Sequence, residues 1–403
     1  MTYYELESTV YNKEVCLFGG GTYGKTRGYD YVTAFGLEVD FYCDNNIDPG
    51  TIVRDGIVVR DIQYLYENKD HIQVFLTVGC QYRTQIIDQL HEHDIYNIIT
   101  VDWLLVTRIL DSIDASDDEL TKQRYHAIYN DAEFLERRFE LKMGYKLDIN
   151  HPKTFNEKLQ WLKLYNRKPE YTRMVDKYEA KQFVEEKIGG GYTVPTLGVW
   201  DSFSDIEFNE LPRQFVLKCT HDSGSVVVCR NKNTFDIEEA GKKLSSALDK
   251  NFFWWNREWP YKNVKRRIIA EEYIEEIDGN LFDYKVHCFN GEPTYIQVIG
   301  NRDLRKHTGL QLVYDFEWNV QEWSFGDYPK YKEELKKPYN LKELYQLSKI
   351  LCAGLRYIRV DFYIISGRIL VGEMTFYPLS GYYVYNNDWK CETDLMLGRK
   401  IKL

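Results

Sequence analysis

The sequence predicts two different domains in one chain: a small α/β domain with a Rossmann-like parallel sheet, then a larger α+β domain. Residues 14–101 alternate short apolar strands with helical segments, which is the pattern of a parallel βαβ sheet. Residues 357–376 (YIRVDFYIISGRILVGEMTF) alternate apolar and polar side chains around a Ser-Gly-Arg turn, which is typical of an antiparallel hairpin. We therefore expect a first domain over residues 1–110, a helical connector over 111–150 and a second domain over 151–403.

The composition argues against several functional classes. The chain has 403 residues, 44% of them hydrophobic, and its net charge of −10 argues against a general nucleic-acid binder. No apolar run approaches the roughly 20 residues of a membrane span, and the N-terminus lacks the features of a signal peptide. The eight cysteines are scattered without CxxC pairs, which favours reduced, buried thiols in a cytoplasmic protein over disulfides or a zinc site.

A glycine-rich turn follows the first predicted strand. The sequence GGGTYG at 19–24 has GxGxxG spacing between a strand and a helix, and Asp44 lies about 20 residues further on, where such folds bind a ribose hydroxyl. The candidate contacts for a nucleotide or nucleotide sugar are Gly19, Gly21, Gly24 and Asp44. The alternative is a tight turn that binds nothing.

The same domain resembles the N-terminal domain of bacterial sugar acyltransferases. The resemblance rests on the glycine-rich turn, the Asp44-Asn45 turn after the second strand and the DGIVV segment at 55–59. It implies a nucleotide sugar, such as a UDP-sugar, in the N-terminal pocket.

The hairpin near the C-terminus brings two acids together. Folding the strands back about Gly367 sets Asp361 opposite Glu373 and Arg359 opposite Thr375, all on one face. Opposed side chains have Cβ atoms about 5 Å apart, where like charges repel. Two carboxylates beside an arginine suit Mg²⁺ and a phosphate, and the alternative is a surface hairpin with solvated acids. The residues predicted to face the core are Ile358, Val360, Phe362, Ile364, Leu370, Met374 and Phe376.

A second informative stretch is QFVLKCTHDSGSVVVCR at 214–230. A strand reaches Lys218, and a loop of small polar residues follows at 220–224, where backbone N–H groups and an ammonium could bind phosphate. An ordinary hairpin with an exposed lysine is the alternative. His221 is a catalytic candidate, although a lone loop histidine more often only hydrogen-bonds locally.

Two further segments carry weaker signals. Thr154 followed by Glu157 predicts a capped helix start, with Trp161, Leu162 and Tyr165 along one face. The aromatic segment NFFWWNREWPYK at 251–262 is either a packed lid or a platform for a sugar ring or base.

Six stretches of the second domain, in chain order, resemble an ATP-grasp domain, specifically the TupA-like group of teichuronopeptide and surface-polysaccharide biosynthesis. They are TFNEKLQWLKLYNR (154–167), MVDKYEAKQFVEEKIG (174–189), FVLKCTHDSGSVVV (215–228), REWPYKNVKRRIIAEEYI (257–274), DYKVHCFNGEP (283–293) and RVDFYIISGRILVGEMTFYPLSG (359–381). The resemblance implies an ATP-grasp fold over residues 151–403, with ATP and Mg²⁺ as cofactors.

The resemblance also implies a role for each matching residue. The residues implied to contact ATP are Lys218, Ser223 and Gly224 at the phosphates, Glu271, Glu272 and Ile274 at the adenine, and Asp283 at the ribose. The implied Mg²⁺ ligands are Asp361, Glu373 and Thr375, and the catalytic candidates are Arg359, Lys285 and His221. Thr375 stands where many ATP-grasp enzymes have an asparagine, which puts a second metal position in doubt.

The chemistry that the resemblance implies is ATP-dependent ligation. A sugar carboxylate, such as a uronic acid that is nucleotide-linked or part of a surface glycan, would join an amine through an acyl phosphate. Three alternatives remain open: a sugar or glycan kinase, a glycosyltransferase that uses the N-terminal pocket, and a non-catalytic nucleotide-binding scaffold. A homodimer is also left open.

Overall fold

The computed structural model describes residues 1–114, 130–274, 281–303, 308–326, 328–385 and 392–403. By contacts the chain forms two compact units, Met1–Asn130 and Asp131–Leu403. Within the described residues, no helix combines the length and apolarity needed to cross a bilayer. Seven cysteines are described and all seven are free, six of them buried, while Cys391 lies outside the described residues.

The first unit contains the predicted parallel sheet. Its strands run in the order β2-β1-β5-β6, and every neighbouring pair is parallel. The strands of this sheet are β1 (Glu14–Phe18), β2 (Phe41–Cys43), β5 (Ile72–Leu76) and β6 (Ile98–Thr100), and a separate small hairpin is formed by β3 (Ile52–Arg54) and β4 (Ile57–Val58). The second strand is shorter than the apolar pattern over 37–43 predicts, because residues 37–40 form a loop after a left-handed Gly36.

Helices flank this sheet. They are α1 (Tyr3–Val10), α2 (Tyr29–Ala34), α3 (Ile62–Glu67), α4 (Cys80–Glu92) and α5 (Trp103–Asp114). A π-helical turn, Gly24–Gly28, precedes α2. Burying Ile86 and Leu90 of α4 against strand residues such as Phe18 and Val74 closes the core of this unit.

The second unit contains two antiparallel sheets. The first has four strands in the order β7-β10-β8-β9, and the second has five in the order β13-β12-β11-β14-β15. The first sheet consists of β7 (Thr196–Trp200), β8 (Phe215–Cys219), β9 (Val226–Cys229) and β10 (Ile268–Glu272). The second consists of β11 (Asp283–Phe289), β12 (Glu292–Asp303), β13 (Thr308–Tyr314), β14 (Tyr357–Ile365) and β15 (Arg368–Thr375).

Eight helices of the second unit are described. They are α6 (Asp131–Met143), α7 (Phe155–Tyr165), α8 (Glu170–Val175), α9 (Glu179–Ile188), α10 (Ile237–Leu248), α11 (Phe253–Asn256), α12 (Leu341–Leu351) and α13 (Glu392–Lys400). The start of α7 is the one predicted: the Thr154 hydroxyl accepts from the Glu157 N–H, and the Glu157 carboxylate accepts from the Thr154 N–H.

The hairpin of β14 and β15 has the predicted register at the acids but not the predicted core face throughout. Asp361 pairs with Glu373 and Arg359 pairs with Thr375. A β-bulge lies at Gly372. Between the bulge and the turn, the pairing is therefore shifted by one residue from the predicted register, so that Tyr363 pairs with Leu370. Leu370 is buried, but it lies on the face of Tyr363 and Asp361, so the predicted face is wrong for this residue.

The large core shows which hairpin residues do face inward. Ile369 and Val371 belong to it together with the predicted Val360, Phe362 and Met374. Because of the bulge, the apolar side chains on both sides of Gly372 point to the same core.

Candidate active site

The acidic and basic side chains of the hairpin form one connected cluster. The Arg359 guanidinium donates to both oxygens of Asp361 at 2.6 and 2.7 Å and to the Glu373 carboxylate at 2.8 Å. It also lies 3.2 Å from the Thr375 hydroxyl, which donates to Glu373 at 3.1 Å. The two acids therefore converge on one arginine, because cross-strand pairing places all four side chains on the same face.

Strand β11 adds a second basic residue to the cluster. Lys285 lies directly across from Asp361 and donates to its carboxylate. Asp283, two residues before Lys285 on the same strand, is buried and accepts from Arg302, with the Lys285 ammonium 3.7 Å away. Asp283 therefore pairs with Arg302 and Lys285, much as Asp361 pairs with Arg359 and Lys285.

The charges in this cluster are balanced. Burial alone would raise the pKa of Asp361, but Arg359 and Lys285 together hold that pKa below its usual value. Burial opposes the charge on Arg359, yet Asp361 and Glu373 keep its pKa well above the usual value. The two cations therefore favour the ionised form of Asp361, which is the form that binds cations.

The same donor set fits Mg²⁺. It offers two carboxylates and a hydroxyl, all hard oxygen ligands, and the Glu373 side chain is 46% exposed and so accessible to a cation. No group of three or more His, Cys, Asp or Glu side chains with metal-binding geometry occurs in the described parts of the chain. Two acids leave room for water and phosphate oxygens, which Mg²⁺ usually retains as ligands.

A second cluster joins the end of strand β8 to the end of strand β10. The buried Glu271 carboxylate lies 2.5 Å from the Lys218 ammonium and 2.6 Å from the ammonium of Lys181 on α9. Although burial raises the pKa of Glu271, these two lysines hold it below the usual value. The Glu271 side chain is thus occupied by lysines, and only its backbone is suited to the predicted adenine contact.

Lys181 is a candidate phosphate-binding residue that the sequence pattern does not indicate. It lies on a helix in the segment AKQFVEEK, where a charged residue is normally solvated. In the structure it is mostly buried and also donates to the Val194 carbonyl. The signal that could have found it is position: in a helix facing the strand end that carries Lys218, a lysine can add a second charge for phosphates.

One cavity connects the two clusters. It is lined by residues of α8 and α9, by Thr193, by the end of β10 and by the bulged part of β15. Among its lining residues are Lys177, Lys181, Glu271, Gly372 and Glu373. The structure therefore brings the predicted phosphate-binding side and the predicted metal-binding side to a single cleft between the two sheets.

A lysine donates hydrogen bonds to the main chain at the loop after β8. Lys177 donates to the Cys219 carbonyl at 3.0 Å and also to the carbonyl of Asp222. Ser223 and Gly224, the predicted phosphate contacts, are exposed, and Gly224 has a left-handed backbone with open space around its Cα. The loop thus presents small residues outward, as a phosphate-covering loop requires.

His221 is not brought to the reactive cluster. Its imidazole is buried, its Nε2 lies 3.0 Å from the Ala247 carbonyl of α10, and burial lowers its pKa. Packing against α10 accounts for this histidine, and the geometry does not support the catalytic role considered from the sequence. The other two adenine candidates, Glu272 and Ile274, lie at and just beyond the end of β10, with Glu272 exposed.

In the first unit, packing explains the glycines of the turn. A Cβ on Gly24 would lie 1.6 Å from the Gly19 carbonyl oxygen, and a Cβ on Gly19 would lie 2.9 Å from the Thr77 carbonyl oxygen. Gly19 also has a φ of +115°, which favours glycine. The tight-turn alternative therefore suffices for Gly19 and Gly24, whereas a Cβ on Gly21 would meet nothing within 4 Å.

Asp44 closes this turn rather than projecting from it. Its carboxylate accepts from the Gly20 N–H at 2.8 Å and from the Asn46 N–H at 2.8 Å. A Cβ on Gly20 would meet the Ile47 side chain at 2.9 Å and the Val53 side chain at 3.4 Å. The face of the turn that a dinucleotide would approach is thus partly covered by side chains of the same unit.

The aromatic segment at 251–262 packs internally. Arg257 is buried, with its guanidinium 4.1 Å from the ring centre of Phe134 and 4.8 Å from that of Trp254. Its Nε also lies 2.9 Å from Asp131. These contacts fit the packed-lid alternative for the inner half of the segment.

Comparisons with known proteins identify the family. The family model described as TupA-like ATPgrasp matches residues 157–402, more than half of the chain. The chain belongs to the TupA-like ATP-grasp family. This confirms the ATP-grasp prediction for the second domain and, with it, the enzyme class: an ATP-dependent carboxylate–amine ligase whose cofactors are ATP and Mg²⁺.

Solved structures give weak likenesses only. A D-alanine–D-alanine ligase from Bacillus anthracis complexed with ATP is 14% identical, with a TM-score of 0.30 over 90% of this chain and 85% of that one. The ATP-grasp ligase PsnB with its minimal precursor is 9% identical, with a TM-score of 0.31 over 91% of each chain. An N5-carboxyaminoimidazole synthase from Aspergillus clavatus is 11% identical, with a TM-score of 0.31 over 91% of this chain and 70% of that one. No curated protein matches the chain.

Proposed function

We propose that this TupA-like ATP-grasp protein joins a sugar carboxylate to an amine in the biosynthesis of a bacterial surface polysaccharide. The carboxylate would be a uronic acid, either nucleotide-linked or within a glycan. The observation that carries the proposal is the single cleft lined by Glu271, Lys181, Glu373 and Gly372, with Lys218 at one side and Arg359 at the other. A cleft with cations on both walls suits a triphosphate that must meet an acidic acceptor.

Residues in and beside the four-stranded antiparallel sheet of the second unit would bind ATP. Lys218 and Lys181 would offer their ammonium groups to phosphate oxygens, Ser223 and Gly224 would cover them, and the backbone at Glu272 and Ile274 would meet the adenine. Glu271 keeps the two lysines in place between turnovers, because it holds both ammonium groups within 2.6 Å. Asp283 would support Lys285 rather than bind the ribose itself.

Residues of the five-stranded sheet would stabilise the phosphoryl group during its transfer. Arg359 and Lys285 would neutralise negative charge as a carboxylate oxygen attacks the γ-phosphorus and ADP leaves. Asp361 and Glu373, with the Thr375 hydroxyl, would hold Mg²⁺, which supplies further charge neutralisation at the phosphates. The amine would then attack the carbonyl carbon of the acyl phosphate, so that an amide forms and inorganic phosphate leaves.

The first unit would hold the nucleotide part of the sugar substrate. Gly21 is the member of the glycine-rich turn that packing leaves unexplained, and open space lies around it. Gly19, Gly24 and Asp44 would then shape the turn that a UDP-sugar approaches. A cytoplasmic location is part of the same proposal, since nucleotide sugars are cytoplasmic substrates, and a homodimer stays a prediction.

The direct test supplies the protein with a UDP-uronate, ATP, Mg²⁺ and a panel of amines. We expect ADP release that depends on an amine, together with an amide-containing product detected by mass spectrometry. Glu373→Gln should lower this rate at least about a hundredfold, while Glu333→Gln, a change in an exposed glutamate on a surface loop, should leave it unchanged.

Other outcomes separate the alternatives. ADP release that is indifferent to every amine and yields a phosphorylated sugar would contradict ligation and identify a kinase. Consumption of the UDP-sugar without ADP would identify a glycosyltransferase. Full function in the polysaccharide pathway by an Arg359→Ala or Asp361→Ala variant would identify a scaffold.

A further inference from the structure

Helix α7 has a polar stripe on its buried side. Asn156, Gln160 and Lys163 recur at intervals of four and three residues, so they lie on one face of the helix. All three are fully buried. A buried helix face is normally apolar, and a fully buried lysine in particular is rare, because taking its charge out of water costs free energy.

The stripe binds main-chain carbonyls of one segment. Asn156 donates to the Tyr383 carbonyl at 2.9 Å and Gln160 donates to the Gly381 carbonyl at 2.8 Å. Lys163 donates to the Ser380 carbonyl at 2.9 Å and to the Gln160 side chain at 2.9 Å. The helix therefore fixes the path of the backbone over residues 380–383 through hydrogen bonds to its carbonyls.

That segment has an unusual backbone. Leu379 and Ser380 follow each other with φ values of +48° and +54°, a left-handed conformation that non-glycine residues seldom adopt. The Ser380 hydroxyl accepts from Asn256 at 2.8 Å and donates to Glu258. Strain of this kind persists only where the surroundings enforce it, and here the enforcing contacts come from α7 and from the segment before β10.

Both ends of the turn reach Arg359. At the N-terminal end, the Thr375 hydroxyl lies 3.2 Å from the guanidinium. At the C-terminal end, burial raises the pKa of Tyr383, and the positive charge of the neighbouring Arg359 opposes that rise. The position of Arg359 thus depends on the path that the chain takes between these two residues.

We propose that Lys163 is a positioning residue for Arg359, acting through the Ser380 carbonyl and the strained turn that joins Thr375 to Tyr383. The proposal rests on the function proposed above, in which Arg359 meets the transferring phosphate. Glu258 faces Lys163 across the turn and offsets part of the cost of burying the lysine.

The test compares two lysines of the same helix. Lys163→Met removes the donor and keeps an unbranched side chain of similar length. Lys158→Met is the matched control, because Lys158 also donates to a main-chain carbonyl, that of Ile401 at 2.7 Å, away from Arg359. We expect Lys163→Met to lower the rate of ADP release at least about tenfold in folded protein, with the KM for ATP within about twofold, since a misplaced group costs rate more than binding. Lys158→Met should retain the wild-type rate.

A second readout does not depend on turnover. The Nε–H resonance of Arg359 in a nitrogen-15 NMR spectrum, assigned with Arg359→Lys, should shift or broaden in Lys163→Met and stay in place in Lys158→Met. Failure of the proposed function appears as wild-type protein that forms no amide. Failure of the present proposal appears as an unshifted Arg359 resonance in Lys163→Met, or as equal effects of the two methionine variants on the rate.

Gln160→Met serves if Lys163→Met does not fold. It removes the donor to Gly381 and the acceptor for Lys163 while leaving the lysine in place. The same shift of the Arg359 resonance is expected, and a wild-type spectrum in this variant would overturn the proposal.

Discussion

At the scale of single residues, the site works by matching each buried charge with an opposite one. Asp361 is shared between Arg359 and Lys285, and Glu271 is shared between Lys181 and Lys218. Breaking such a pair leaves one charge buried without compensation, which usually costs more than the pair itself contributes. Substitutions at these residues therefore affect stability as well as chemistry, and the two effects must be measured separately.

Arg359→Met tests whether the two acids hold a cation. The variant leaves Asp361 and Glu373 with Lys285 alone, so we expect a loss of about 3 kcal/mol in the free energy of unfolding. Because the carboxylates then attract cations more strongly, Mg²⁺ should restore more of this loss than it adds to the wild type. Urea unfolding with and without MgCl₂ measures both. Arg368→Met, at the exposed end of the same hairpin, is the control, and an equal Mg²⁺ effect in all three proteins would contradict the metal assignment.

Asp394 predicts a pH dependence of stability. Burial raises its pKa to about 6 although the Asn156 N–H and side chain both donate to it. A carboxyl whose pKa is raised in the folded state stabilises the fold fully below pH about 4 and loses that contribution as the pH rises through about 6. Relative to Asp394→Asn, the wild type should therefore lose of the order of 3 kcal/mol between pH 4 and 7.

Chemical unfolding of the two proteins at several pH values checks this expectation. Glu392→Gln, in the same first turn of α13 and exposed, should not change the pH profile. A difference between wild type and Asp394→Asn that stays constant with pH would rule out the assignment.

At the scale of secondary-structure elements, the β14–β15 hairpin shows what a pattern can and cannot predict. Alternation around Gly367 correctly predicts that Asp361 meets Glu373, since the acids are equally far from the turn. The bulge at Gly372 is invisible in that pattern, because one inserted residue changes the phase of the strand without changing its composition. The pattern therefore places Leu370 on the wrong face, while it places Met374 and Phe376, beyond the bulge, on the correct one.

Gly372→Val tests the part of the bulge that lines the cavity. A Cβ at this position would lie 2.8 Å from the Tyr363 ring, and the added methyl groups would enter the space beside Glu373. We expect ATP affinity to fall about tenfold, or about 1.4 kcal/mol, with a smaller loss for Gly372→Ala. Calorimetric titration with a non-hydrolysable ATP analogue measures it, and unchanged affinity in the valine variant would mean that ATP binds elsewhere.

The glycine-rich turn of the first unit offers a matched pair of substitutions. Gly24→Ala places a methyl group against the Gly19 carbonyl, so it should destabilise the first unit by about 3 kcal/mol or more. Gly21→Ala meets open space and should leave the melting temperature within about one degree. If the turn binds a UDP-sugar, Gly21→Ala should nevertheless weaken that binding; an unaffected affinity would remove Gly21 from the proposed pocket.

Helix α7 shows a second limit of prediction from sequence. Its cap was predictable from Thr154 and Glu157, and its apolar period suggested a face containing Trp161, Leu162 and Tyr165. In the structure Tyr165 is 57% exposed, while the polar Gln160 is fully buried. Periodicity assumes that apolar residues define the buried face, so it cannot find a helix that binds the backbone of a segment more than 200 residues away.

At the scale of the whole molecule, all the residues proposed to bind ATP and Mg²⁺ belong to the unit Asp131–Leu403. A protein of residues 131–403 should therefore fold alone and bind ATP with Mg²⁺ as tightly as the full chain, to within about threefold. Thermal unfolding and nucleotide titration of the two proteins test this. Loss of nucleotide binding in the shorter protein would show that the first unit completes the ATP site, whereas loss of ligation with binding retained would assign the sugar substrate to the first unit.

The main-chain link between Thr193 and Val371 has a further consequence for this unit. The Val371 N–H donates to the Tyr192 carbonyl at 2.6 Å. This hydrogen bond joins the segment before β7 of the four-stranded sheet to β15, the edge strand of the five-stranded sheet, beside the cavity. Two sheets joined along one edge can separate only at the opposite edge. We therefore expect nucleotide to enter through a hinge-like opening of the two sheets, with faster amide hydrogen exchange near Gly224, at the opening edge, than at Val371.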